Sequence, residues 1–264
     1  MGFKKFMPGL QTYVIVYLAF LYIPVLFLPL FSFNDGTIVA FPLKGFTLKW
    51  YGELAEADTL VQALFNSLLV GAVTAVTSTA LGLFAARAFA RYTYRGSTVS
   101  EGLVMLPLVI PGIIVASSML VMFLSIGLKP SLTTVILGHV FLALPFSVSI
   151  MKSAFDEFDQ SLEEAAYDLG AGVVGTFRRV TLPIVAPGIV ASLLVTFTVS
   201  FDEFVLAFFL SGNQPTLPVY IWSQIRFPAK LPNTLALGSL LLLFSVGLLL
   251  LAEYFRRRST RGTK

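Results

Sequence analysis

Long uncharged runs alternate with short polar segments along the chain, and the charges mark where each run stops. A membrane-crossing helix needs about 20 mostly apolar residues. Six intervals meet that length: 13–33, 60–86, 102–126, 132–151, 184–210 and 234–252. Each is apolar around most of its circumference rather than striped along one face, as expected of a helix that meets lipid or other apolar helices on all sides. The pattern predicts an all-α, polytopic membrane protein with six transmembrane helices, forming a single transmembrane domain over residues 1–264. A seventh helix over 204–225 is rejected, because Ser211-Gly212-Asn213-Gln214-Pro215 and Pro218 break that stretch in the middle. The first run follows Lys4 and Lys5, as a signal peptide would, yet continues uncharged to Asn34 without a small-residue cleavage site; it reads as an uncleaved first span. Pro24, Pro29, Pro107, Pro111, Pro145 and Pro187 fall inside the runs, where each removes a backbone hydrogen bond and bends its helix. Such kinks serve either a translocation path or ordinary packing.

Composition supports this reading: 56% of the residues are hydrophobic and 12% charged, against about a quarter charged in soluble domains. A soluble fold could not hide that much apolar surface. The net charge of +4 is carried by short clusters between the runs, which suits lipid headgroups and membrane orientation rather than nucleic acid. With both termini cytoplasmic, 13 Lys and Arg lie inside and five outside, namely Lys44, Lys49, Lys129, Arg226 and Lys230. That asymmetry follows the positive-inside rule, whereas seven spans would place Arg256, Arg257 and Arg258 outside. The chain has no cysteine and a single histidine, His139, which argues against disulfides, a zinc site and a Ser-His-Asp triad. No catalytic residue, metal ligand or resident cofactor is assigned.

The segment 152–183, between the fourth and fifth spans, is the longest polar stretch placed inside. Ser161 with Glu164 three residues later fits a capping box, and Leu162, Ala165, Ala166 and Leu169 form one apolar face of a short helix that Gly170 would terminate. Glu163, Glu164 and Asp168 would be repelled by anionic headgroups, so docking of a soluble partner is preferred to lying on the membrane. Glu164-Ala165-Ala166, Gly170 after three more residues, and Val180-Thr181-Leu182-Pro183 resemble the EAA loop of binding-protein-dependent ABC import permeases, with Val180 where isoleucine is usual. Agreement extends to Phe177, Pro187 and Gly188, while Ala171-Gly172 departs slightly from the usual small polar residue.

The resemblance implies the type I ABC importer permease fold in a bacterial-type inner membrane. It also implies that Glu163, Glu164, Ala165, Ala166, Asp168, Leu169, Gly170, Leu182 and Pro183 belong to a coupling loop seated in a cytoplasmic ATPase. The implied partners are a second homologous permease, two ABC ATPase subunits that use ATP and Mg, and an extracytoplasmic solute-binding protein. Leu210-Ser211-Gly212-Asn213-Gln214 looks like the ABC ATPase signature, but no phosphate-binding loop exists in the chain and the segment falls outside the membrane, so the likeness is a coincidence.

Asp202 and Glu203 are the acidic residues inside the fifth run. Burying a carboxylate in a bilayer costs about 2.5 to 3.5 kcal/mol or more, which points to function. Consecutive helical residues point about 100° apart, so one of the pair, preferably Asp202, would face a path while the other caps or pairs nearby. A cationic solute could then be held by Asp202 and Glu203 with the aromatic faces of Trp50, Tyr51, Phe201, Tyr220 and Trp222. Alternatively the acids sit at the outer boundary beside Arg226 and the aromatics form an interfacial belt. Ser200-Phe201-Asp202-Glu203-Phe204, Trp50-Tyr51 and Asn66-Ser67 resemble the spermidine/putrescine permease subunits of the C-type kind. That implies a polyamine solute, with an opine, aminophosphonate or ferric-iron importer as alternatives. An ion-coupled secondary transporter using Asp202, Glu203 and His139 is the rival class, disfavoured because no inverted repeat is evident. His139 is otherwise read as an interhelical hydrogen-bonding residue.

Overall fold

The protein is described by a computed structural model over residues 8–92, 95–243 and 246. Among the described residues there is no strand, only an isolated bridge between Asn34 and Phe46. The helices are α1 (Pro8–Ser32), α2 (Lys49–Ala55), α3 (Asp58–Arg91), α4 (Ser97–Met105), α5 (Gly112–Ser125) and α6 (Leu132–Asp156), followed by α7 (Ser161–Asp168), α8 (Val173–Thr176), α9 (Leu182–Phe201), α10 (Val205–Leu210), α11 (Leu217–Ile225) and α12 (231–243).

Among the described residues four stretches are helical, long and apolar enough to cross a membrane: Leu10–Ser32, Asp58–Arg91, Leu132–Asp156 and Val173–Phe201. A fifth is the pair Ser97–Leu108 and Gly112–Ser125, bent by 100°. Residues 231–243 begin the expected sixth span, whose remainder lies outside the described residues together with the C-terminal arginines.

In the third span, expected over 102–126, the bend expected of its prolines is a break between two helices. At 14 residues, α5 is about 21 Å long, short of the roughly 30 Å apolar core of a bilayer. Pro107 lies in a 3-10 turn, Leu106–Leu108, and Pro111 sits at the N-cap of α5. Neither has an N–H to continue the helical ladder, so the chain turns between them. An ion pair between Lys152 and Glu101 ties α4 to α6.

The fifth span begins earlier than expected and stops sooner. Helix α8 runs into α9 through a π-turn, Phe177–Thr181, where the Leu182 N–H bonds to the Phe177 carbonyl five residues back. Pro183 cannot donate to Arg179, which loosens the ladder at that point. At the other end the helix stops at Phe201 and resumes only at Val205, so the continuous helix expected over 184–210 is broken at Asp202, Glu203 and Phe204.

Two compact units emerge, residues 59–220 and residues 1–58 with 221–264. In the first, α3, α6 and α9 approach closely through small side chains. A Cβ on Gly82 of α3 would lie 2.0 Å from the Ser147 hydroxyl of α6, and one on Gly188 of α9 would lie 2.6 Å from Ala154 of α6. Thr79 and Ser192 share a hydrogen bond of 2.9 Å, and the Ser192 hydroxyl donates to Ser147 at 2.9 Å. Small residues and hydroxyls are the usual means of holding helices together where lipid removes the hydrophobic drive between them. In the second unit, Asn34 organises the loop after α1: its side-chain oxygen accepts from the Lys44 N–H at 2.9 Å, and its carbonyl accepts from the Trp50 indole at 2.8 Å. The Asn233 amide donates to Glu53 at 2.8 Å, tying α12 to α2.

Candidate functional site

Helix α7 is where the resemblance placed a docking element. Ser161 is its first residue rather than its cap; the Asp159 carboxylate accepts the Ser161 N–H at 2.9 Å. The expected Ser161/Glu164 capping box is thus replaced by an aspartate two residues upstream, whose shorter reach suits the turn that precedes the helix. The same hydrogen bond holds the Asp159 carboxyl below its ordinary value.

The helix ends in a Schellman arrangement. Gly170 adopts φ +84°, its N–H bonds to the Tyr167 carbonyl at 2.9 Å, and the Ala171 N–H reaches the Ala166 carbonyl at 2.9 Å. An alanine at Gly170 would carry a left-handed backbone penalty of about 1–2 kcal/mol.

Of the four residues expected to form the apolar face of α7, Leu162, Ala165 and Leu169 are exposed, Leu169 at 89%, together with Glu164 and Asp168. Val173 and Val174 of α8 extend the exposed apolar surface at 65% and 78%. Ala166 is half-buried, and Glu163 is the one buried side chain of the helix at 7% exposure.

Glu163 turns inward because α3 supplies its counter-charges. Arg91 Nη2 lies 3.3 Å from one carboxylate oxygen and Arg87 Nη2 3.7 Å from the other, and the Thr181 hydroxyl donates to the carboxylate as well. Arg87 also lies 4.5 Å from the centre of the Phe177 ring and Arg91 5.1 Å from that of Phe158, distances at which a guanidinium is attracted to the ring face. Removing one partner from such a buried pair costs about 3–5 kcal/mol, because a desolvated charge is left behind. Sequence reading missed Arg87 and Arg91, counting them only as inward positive charge; their spacing of four on one helix face was the available signal. Leu182 packs against the cluster of Leu83, Met151, Phe155 and Val185, while Pro183 is exposed.

At the other candidate site, Asp202 is exposed at the end of α9; its N–H bonds to the Thr198 carbonyl at 3.1 Å, while its carboxylate makes no hydrogen bond or ion pair among the described residues. Glu203 is half-buried, and its carboxylate accepts the Leu206 N–H at 3.0 Å, closing the first turn of α10. Phe201 stacks on Phe197 with ring centres 5.7 Å apart. His139 is buried on α6, with Nδ1 2.8 Å from the hydroxyl of Ser200, two residues before the break. It is therefore an interhelical hydrogen-bonding residue, placed beside the acidic pair rather than within it.

The candidate aromatic residues are divided between the two units. Tyr220 and Trp222, two positions apart on α11, point about 200° from one another. Trp50 is buried and its indole is committed to the Asn34 carbonyl. Trp50 and Trp222 belong to the unit of residues 1–58 and 221–264, and Phe201, Asp202, Glu203 and Tyr220 to that of 59–220.

The Leu210–Gln214 stretch has a local structural use. The Leu210 carbonyl accepts from the Ser131 N–H at 2.9 Å and from the Thr134 hydroxyl at 2.8 Å, and the Gln214 side chain accepts from the Leu132 N–H at 3.3 Å. These groups satisfy the open N-terminus of α6. Asn66 and Ser67 hold the following residues, the Asn66 amide donating to the Pro215 carbonyl at 3.0 Å and the Ser67 hydroxyl accepting from the Leu217 N–H at 2.7 Å.

Residues 78–261 match the family described as "Binding-protein-dependent transport system inner membrane component". The chain is 32% identical to the spermidine/putrescine transport system permease protein PotC of Haemophilus influenzae, with 94% of this chain and 96% of that protein covered. It is 35% identical to the putrescine transport system permease protein PotI of Escherichia coli K12, over 84% of this chain and 82% of that one. Among solved structures it superposes on a bacterial ABC transporter involved in the import of the acidic polysaccharide alginate, with TM-score 0.73, 16% identity and coverage of 97% and 98%. A chain of a bacterial alginate ABC transporter in complex with an alginate pentasaccharide-bound periplasmic protein gives TM-score 0.73 at 19% identity, covering 95% and 93%. At these identities the structures establish the fold.

Proposed function

The chain belongs to the binding-protein-dependent transport system inner membrane components, the multi-pass permease subunits of ABC importers, and from that premise we propose that it carries a small cationic solute of the polyamine class. The observation that carries this reading is Asp202: a carboxylate unpaired among the described residues, at a break in a membrane span, next to Glu203, whose own carboxylate is engaged by the backbone of α10. A broken helix exposes free carbonyls at its C-terminal end and so adds negative potential where Asp202 stands. Both features favour a cation. Relatives named for spermidine and putrescine support the substrate class.

On this reading both termini are cytoplasmic and α7 faces the cytoplasm. The permease pairs with a second, homologous permease, two ABC ATPase subunits that hydrolyse ATP with Mg, and an extracytoplasmic solute-binding protein. The exposed apolar surface at Leu162, Leu169, Val173 and Val174 supports docking of the ATPase. Closure of the ATPases would push on α7, opening the spans outward to receive solute and then inward. The chain contributes the path and receives the force.

The test is uptake into vesicles containing the complete complex, using labelled putrescine with unlabelled spermidine, an opine, an aminophosphonate and ferric iron as competitors. Competition by the polyamine alone is expected. Asp202→Asn should lower putrescine uptake by about tenfold, the worth of one charge contact of about 1.4 kcal/mol, with ATP hydrolysis and assembly retained. Glu203→Gln, which still accepts the Leu206 N–H, should have a smaller effect. Unchanged uptake in both variants would rule out the cation path.

A further inference from the structure

The exposed surface of α7 explains how a partner could grip the helix but not how the grip would move anything. Among the described residues Glu163 is the only buried side chain of this 8-residue helix. Ala166 beside it is half-buried. Glu163 is therefore the most deeply held side chain of α7, and the charged one by which the helix is tied to α3 and to the head of α9.

That carboxylate is met by a preformed socket. Arg87 and Arg91 lie one turn apart on α3, and each is also placed over an aromatic ring from elsewhere, Phe177 in the π-turn and Phe158 just past the end of α6. Thr181, which closes the π-turn at the head of α9, donates its hydroxyl to the same carboxylate. One side chain thus links α7 to α3 through charge and to α9 through a hydrogen bond. The link to α9 enters at the point where the helical ladder is already loosened to a five-residue repeat, a place where a helix can change register at small cost.

We propose that Glu163 is the positioning residue that makes α7, α3 and the head of α9 move as one piece, so that displacement of α7 is delivered to the membrane spans. This rests on the ATPase-docking reading of α7. It gives Glu163 a different task from its neighbour Glu164, which is exposed on the docking side. The arrangement has a mechanical logic: a carboxylate shared by two arginines resists translation in more than one direction, which a single neutral hydrogen bond does not. Glutamine at this position keeps the shape and the ability to accept from Thr181 but offers no charge to the arginines.

The absence of cysteine from the chain allows a readout that needs no knowledge of the solute. Thr198 is exposed on α9, its hydroxyl bonded to its own helix, so Thr198→Cys supplies a unique thiol on that span. In the complete complex in vesicles, the rate at which a maleimide labels this thiol is compared with and without Mg-ATP and vanadate. Putrescine uptake per ATP hydrolysed is measured in parallel. In Glu163→Gln the ATPase subunits should remain bound and hydrolyse ATP. The nucleotide-dependent change in labelling should disappear, and uptake per ATP should fall by about tenfold, within the usual range of coupling between sites. Arg91→Gln should give the same loss, and the double variant should be no worse than either alone, since both remove one link.

The proposal is overturned if labelling still responds to nucleotide in Glu163→Gln, if the losses in the two variants add, or if uptake falls only in proportion to ATPase subunits lost from the complex. Should Glu163→Gln not assemble, Thr181→Val removes only the link to α9, and a full nucleotide response in that variant would equally overturn it. Failure of the docking reading shows separately, as an unmodified complex that contains this chain but no ATPase. Failure of the substrate reading shows as an unmodified complex whose labelling responds to nucleotide without putrescine uptake.

Discussion

Gly82→Ala should leave little permease folded in detergent extracts of the membrane, although alanine in a helix is ordinarily about 1 kcal/mol better than glycine. The added Cβ would lie 2.0 Å from the Ser147 hydroxyl, 2.7 Å from its Cβ and 3.0 Å from its backbone carbon. No rotamer change removes the last two contacts. Ser147 cannot simply yield, because its hydroxyl accepts from Ser192, which also shares a hydrogen bond with Thr79. Helices α3 and α6 must then separate, and α9 loses its polar contacts to both. Overpacking of this kind costs about 1–3 kcal/mol in soluble cores, and here it adds to the loss of two buried hydrogen bonds worth about 1 kcal/mol each. The measurement is the fraction of purified complex that stays monodisperse after stepwise heating. Ser147→Gly in the same chain should recover much of the loss, because only the backbone contact remains. Gly102→Ala, where nothing lies within 4 Å of the added carbon, should be neutral or stabilising. Equal stability of Gly82→Ala and the parent would refute the close packing described between these spans.

The ease with which each part could be read from the sequence follows from the range of the forces that make it. The spans at α1, α3 and α6 were visible because hydropathy is a local property, and lipid imposes it on every residue of a run. The ends were not. Helix α3 continues through Arg87 to Arg91, where Glu163, more than seventy positions later, pairs with both arginines; taken alone, two charges marked a boundary. The bends at 109–111 and 202–204 were legible only as prolines and as a costly acidic pair. An apolar stretch reads the same whether its helix is straight or broken, so the structure had to show that Pro111 begins a new helix and that α9 stops at Phe201. For α7 the spacing of Leu162, Ala165 and Leu169 correctly indicated a helix but not which face is covered. A three-to-four repeat identifies an apolar side without saying whether it meets this chain or another. The helix shows its apolar side to solvent and buries a carboxylate, the reverse of an ordinary amphipathic element, because its apolar side is not packed within this chain.

That reversal makes the second large effect predictable. Leu169→Asp and Val174→Asp should each detach the permease from its ATPase while leaving the permease itself as stable as before. At 89% and 78% exposure these side chains bury almost nothing within the chain, so a charge there costs its own fold little. Surface changes of this kind ordinarily stay within about 0.5 kcal/mol. In a cleft of a partner the same aspartate would be desolvated without a counter-charge. Loss of a central interface side chain costs about 2 kcal/mol or more, or about thirtyfold in affinity. The observable is the amount of ATPase subunit that co-purifies with tagged permease, with uptake and thermal stability measured on the same samples. Little ATPase, background uptake and unchanged stability are expected for both variants. Leu182→Asp should differ in kind, because Leu182 packs against Leu83, Met151 and Val185, and its loss should unfold the permease together with the docking. An ATPase that stays bound to Leu169→Asp and Val174→Asp would show that the exposed surface of α7 and α8 is not where force enters the chain, and the coupling assigned to Glu163 would lose its source.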